Sequence, residues 1–177
     1  MIGDWDRHTK QWGWVVQKEE NTFTAIPLPG DRDNAFFNIG GVIPTIISNK
    51  EIIPDLQSFE NDIDYLPGLV KPFDTYFLYT APRHLFIDEA RKLQKLLTPQ
   101  VINQSFSVWP NEIYDLDGEE IFEKISHRRD SLVSYAKNYR TILDEKELLT
   151  DPLKGSEDLE LESGLLKCFD CSDLENL

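Results

Sequence analysis

Apolar positions recur first at the two-residue spacing of strands and later at the three-to-four-residue spacing of helices. Trp12 to Gln17 and Thr22 to Leu28 alternate, with Phe23, Ala25 and Pro27 on one side of the second run. Alternation cut by turn formers is the pattern of half-buried strands. Lys18-Glu19-Glu20-Asn21 reads as the hairpin connection, and Pro29-Gly30-Asp31-Arg32-Asp33-Asn34 as a polar turn or loop. Ile63 to Leu66, the apolar run Thr75 to Thr80, the alternating run Val101 to Trp109 and Glu112 to Leu116 predict further short strands.

Helical signals are fewer but longer. Ser48-Asn49-Lys50-Glu51 has capping-box spacing and opens a short helix to about Phe59, with Ile52, Leu56 and Phe59 on one face; Pro54 can shift its start. Asp88 can cap a helix to about Leu97, with Ala90, Leu93, Leu96 and Leu97 as its buried stripe and Arg91, Lys92 and Lys95 facing water. From Glu119 to about Leu149, apolar residues recur at three or four, acids occupy the first turn, and Arg128-Arg129-Asp130 is where the helix can break. These elements predict an α+β fold: a mostly antiparallel sheet packed against a long late helix, in one domain over 1–150, followed by an acidic C-terminal segment over 151–177.

Charge changes the picture of the partner. The 177 residues carry 18 Lys+Arg against 32 Asp+Glu, a net −14, so a phosphate backbone would be repelled and direct nucleic-acid binding is disfavoured. A basic protein partner suits this charge. Eight acids and two lysines fall in Asp151 to Leu177, which carries −6 and leaves −8 for the first 150 residues. Leu159, Leu161, Leu165, Leu166 and Phe169 give that segment apolar anchors, so it is either docked or ordered by a partner. No apolar run approaches the roughly 20 residues that span a bilayer and the first residues do not form a secretory signal, which predicts a soluble cytoplasmic protein.

Chemistry-bearing motifs are sparse. Cys168-Phe169-Asp170-Cys171 has C-x-x-C spacing, but a structural zinc wants four ligands and His8, His84 and His127 lie apart from one another in sequence. No metal or cofactor is expected. His84 or His127 could act as a general base if a carboxylate oriented it, which makes a small hydrolase or transferase the alternative reading. Acid pairs such as Asp62 with Asp64 follow from composition. Trp5, Trp12 and Trp14 are either core or an interaction surface, because tryptophan is enriched in both. The candidate partner-binding residues are therefore Trp5, Trp12 and Trp14, with Glu157, Asp158, Glu160 and Glu162 of the acidic segment.

Three segments together carry a family resemblance: Ile43-Pro44-Thr45-Ile46-Ile47-Ser48-Asn49-Lys50-Glu51-Ile52, Ile63-Asp64-Tyr65-Leu66-Pro67 and Tyr76-Phe77-Leu78-Tyr79. This order resembles a family of bacterial immunity proteins from polymorphic toxin systems, over about 40 residues. The family's central insertion is missing or altered here, and the acidic C-terminal arm has no counterpart in it. The resemblance implies a cytoplasmic, non-enzymatic protein that binds and blocks one cognate toxin domain; the acidic charge suits a basic toxin such as a nuclease. A regulator that mimics nucleic acid with rows of carboxylates is a further alternative.

Overall fold

Strand β1 (Trp12–Glu19) pairs antiparallel with β2 (Thr22–Pro29), from Trp12 opposite Pro29 to Glu19 opposite Thr22. The fold is taken from a computed structural model and is described for residues 1–20, 22–38 and 56–150. The turn is tighter than the predicted connection, because Lys18 and Glu19 remain in β1 and Glu20 takes a positive φ of 47°. A positive φ at the first central position suits the twist of a two-residue hairpin turn. Gly30 N–H then donates to Gln11 O at 2.8 Å and extends the pairing beyond β1.

Six α-helical segments follow among the described residues: α1 (Pro72–Leu78), α2 (Arg83–Leu96), α3 (Pro99–Phe106), α4 (Asn111–Ile113), α5 (Glu119–Asp130) and α6 (Leu132–Asp144). A π-helical turn, Tyr114–Gly118, joins α4 to α5, and three-residue-per-turn helices lie at Thr9–Gln11 and Leu66–Leu69. The architecture is α+β, with a two-stranded antiparallel sheet among the described residues. α2 packs along α6. Phe59, Ile102, Phe106 and Ile125 form a buried cluster, flanked by Phe36, Leu97, Trp109, Ile121 and Phe122. Burying each such side chain contributes about 1.5–3 kcal/mol.

Four predicted strands are not strands. Thr75 to Thr80 lies largely in α1, where Pro72 occupies the first turn and the Asp74 carboxylate accepts from Lys71 N–H at 2.8 Å. That cap and tertiary packing outweigh the β-propensity of Tyr76, Phe77 and Tyr79. Val101 to Trp109 lies mostly in α3, begun by Pro99 and capped by Thr98 Oγ1, which accepts from Val101 N–H at 3.2 Å. Ile102 and Phe106, both buried, stand four residues apart, a spacing that serves a helix face as well as alternate strand positions. Glu112 to Leu116 enters α4 and the π-turn. There a side chain on Gly118 would strike the Tyr114 ring. Ile63 to Leu66 is irregular, its backbone held where Gln57 donates to Tyr65 O at 2.7 Å and accepts from Tyr65 N–H at 3.1 Å.

The remaining helices refine the prediction. The helix expected from Ser48 lies outside the described residues up to position 55, and residues 56–60 are not helical. The helix expected from Asp88 begins five residues earlier, at Arg83, and its stripe is only partly buried: Ala90 is 7% exposed, but Leu93 and Leu96 are 38% and 59% exposed. The late helix is two helices divided at Ser131 and ends at Asp144 rather than Leu149. At the break, Gln94 Nε2 donates to the carbonyls of Arg129 at 2.7 Å and Asp130 at 2.9 Å, satisfying acceptors that a helix end leaves open.

Candidate functional site

Alternation in β1 puts Trp12, Trp14 and Val16 on one face of the hairpin and Gly13, Val15 and Gln17 on the other. Trp12 stacks on Phe73 of α1, centroids 4.7 Å apart and planes 10° apart, with the Arg32 guanidinium 5.0 Å from its ring centre. Trp14 meets Phe77 at 5.2 Å and Phe73 at 6.4 Å. The part of the first face that carries Trp12 and Trp14 is therefore docked on α1, while Val16 and Phe23 nearer the turn are not covered. Trp5 belongs to a different cluster, edge-on to Phe37 at 6.1 Å. The structure thus brings together two of the three predicted tryptophans. Glu157, Asp158, Glu160 and Glu162 lie outside the described residues, as do Cys168 and Cys171.

The opposite face carries residues that sequence reasoning did not single out. Val15 stands across from Ile26, beside Leu28, and the three are 40%, 39% and 49% exposed. Val16 and Phe23 are exposed as well, but they lie toward the turn on the Trp12 and Trp14 face. Acids flank the patch: Glu19 and Glu20 at the turn, Asp31 and Asp33 at the base, all exposed. An apolar centre with a charged rim is the anatomy of a protein-binding surface. The signal in the sequence was the two-residue period itself, which assigns Val15 and Ile26 to the face away from Trp12 and Trp14.

A buried ion pair positions the platform beneath the hairpin. Arg7 Nη2 meets Asp74 Oδ1 at 2.6 Å, with Asp74 only 1% exposed. Burial opposes the charge on Arg7, but Asp74 outweighs it and holds the guanidinium above its ordinary pKa. The neighbouring Tyr139 hydroxyl is pushed far up, by burial first and by the Asp74 charge second. From α6, Arg140 donates to Tyr79 O at 3.0 Å just beyond α1 and pairs with Asp144 at 2.9 Å.

The two candidate bases differ. His84 is exposed in the first turn of α2 and makes no hydrogen bond or ion pair among the described residues. His127 Nε2 lies 3.1 Å from Asp62 Oδ1, which also accepts from the Tyr135 hydroxyl at 2.8 Å. The Tyr135 hydrogen bond, aided by His127, holds the Asp62 carboxyl below its ordinary range; burial, followed by Asp62, raises Tyr135. A carboxylate thus orients His127, yet no hydroxyl or thiol is hydrogen-bonded to the ring among the described residues, and Ser126 Oγ donates to Phe122 O at 2.8 Å instead. Also among the described residues, no group of three acidic, histidine or cysteine side chains could hold a metal ion, and no helix is long and apolar enough to cross a membrane.

No family model, curated protein or solved structure matches this chain.

Proposed function

We propose that this chain is a non-enzymatic acidic binding protein that occludes a basic partner, in the manner of an immunity protein blocking its cognate toxin domain. The observation that carries the reading is the outer hairpin face, where Val15, Ile26 and Leu28 are exposed between acidic residues on a chain of net −14. Acidic charge speeds encounter with a basic surface, and a compact apolar centre supplies the affinity that charge alone does not. The expected site of contact is the hairpin together with the acidic segment after Asp151.

The test is capture and neutralisation of the basic proteins encoded beside this one. The wild-type chain should bind one of them in a salt-sensitive complex, and Val15→Ser with Ile26→Ser should weaken it at least about tenfold, about 1.4 kcal/mol, while circular dichroism stays unchanged. Absence of any complex at low salt would overturn the proposal. The oriented His127 favours one second reading, a hydrolase or transferase using it as base. Under the binding reading, His127→Ala and His84→Ala leave neutralisation intact, whereas an activity abolished by His127→Ala would establish the second reading instead.

A further inference from the structure

A cavity of about 370 Å³ lies between the first seven residues, the Leu66–Leu69 turn, α5 and α6. Arg7, Arg32 and Arg128 all line it, an unusual concentration of cations in so acidic a chain. Two of them are neutralised within the fold, Arg32 by Asp4 and Arg7 by Asp74. Arg128 is not. Although only 3% exposed, it has no carboxylate ion pair among the described residues. Its Nε donates to Glu60 O at 2.6 Å, its Nη2 to Asp62 O at 3.1 Å, and its plane lies 4.3 Å from the Phe59 ring centre.

These partners orient the guanidinium but give it no direct ion pair. The remaining nitrogen, Nη1, makes no hydrogen bond among the described residues and faces Gly3 at the cavity wall, 3.4 Å from where a Cβ on that glycine would stand. A buried cation without a direct ion pair keeps part of its desolvation cost, and a ligand anion in contact with it would recover some of that cost. Leu66, Leu69 and Leu132 line the same cavity with apolar surface.

We propose that this cavity binds a small amphipathic monocarboxylate, its carboxylate on Arg128 Nη1 and its apolar body against Leu66, Leu69 and Leu132. Arg128 is the one guanidinium of the cavity without a direct ion pair among the described residues, which matches one negative charge. A dianionic phosphate would need a second, and Arg7 and Arg32 already have theirs answered. The volume lies at the small end of ligand pockets, roughly 300–1,000 Å³, which suits a single-ring or medium-chain acid. This site is separate from the outer hairpin face and stands whether or not the protein has a toxin partner.

The test is calorimetric titration of the full chain with hexanoate and phenylacetate, against hexanol, hexylamine and inorganic phosphate. Saturable binding of the two carboxylates alone is expected, weakened about tenfold or more by Arg128→Gln and unchanged by Arg83→Gln on the exposed side of α2. Should Arg128→Gln fail to fold, Ala136→Phe, which fills the cavity from α6, should also abolish binding. Equal binding of hexanol and hexanoate, binding of phosphate alone, carboxylate binding that survives both cavity variants, or no saturable binding at all would each overturn the proposal.

Discussion

Replacing Asp74 by Asn keeps the side-chain volume, and an amide oxygen can still accept from Lys71 N–H, but it removes the charge that answers Arg7. The pair spans 2.6 Å with Asp74 1% and Arg7 26% exposed, so the carboxylate is dry while the guanidinium keeps some access to water. Breaking a buried pair by removing one partner costs about 3–5 kcal/mol; the residual exposure of Arg7 puts this site at the lower end, about 3 kcal/mol. Asp74→Ala also removes the helix-capping acceptor and should cost about 1 kcal/mol more. Against a total stability of about 5–15 kcal/mol, both losses are measurable in urea.

In a thermal scan, Asp74→Asn should lower the midpoint by roughly 6–12 °C, at about 2–4 °C per kcal/mol for a chain of this size. Tryptophan emission should shift to the red as well, because Trp12 stacks on Phe73, the residue next to Asp74. The control is the apolar pair Arg7→Met with Asp74→Leu. It removes both charges together and should recover most of the lost stability. A loss below about 1 kcal/mol for Asp74→Asn, or an apolar pair no more stable than the single variant, would refute the view that this ion pair holds α1 under the hairpin.

Alkaline pH should destabilise the fold through Tyr139. Its folded hydroxyl keeps its proton while the unfolded one ionises near pH 10, so above that point the unfolded state binds fewer protons and stability falls by up to about 1.4 kcal/mol per pH unit. Urea midpoints at pH 8 and pH 11 should show this decline, and Tyr139→Phe should reduce it. Burial contrasts predict a second pair of results, measured at neutral pH. Leu143→Ala, at a fully buried site, should cost about 2–5 kcal/mol, whereas Leu96→Ala, at 59% exposure, should stay within about 0.5 kcal/mol.

The hairpin and the break in the late helix were readable in the sequence because local chemistry decides them. Alternation and a polar turn set the register from Trp12 to Glu19, and the polar run Arg128-Arg129-Asp130 marks the end of α5. α1 and α3 were misread for a shared reason. Aromatic and β-branched runs there suggest strands, while the decisive signals are two-residue starts, Lys71-Pro72 and Thr98-Pro99, whose worth depends on the cap each completes. The clustering of Trp12 and Trp14 was legible. The exposure of Val15, Ile26 and Leu28 was not, since a strand's period says which residues share a face but not whether another layer covers it.

Arg128 shows a further limit of the same kind. Within the helix it is one basic residue in a last turn, where the dipole favours a cation, and nothing local separates it from Arg129. The difference arises in three dimensions: Arg129 pairs with Asp130, while Arg128 points toward the carbonyls of Glu60 and Asp62 and toward Gly3. Arg7 then joins the two surfaces, because it lines the same cavity and also pairs with Asp74 at the start of the helix on which Trp12 lies. A change at Asp74 therefore disturbs both places together. Arg128→Gln touches the cavity without touching α1, so it separates loss of the small-molecule site from loss of the hairpin platform: only the first should weaken carboxylate binding while leaving partner capture unchanged.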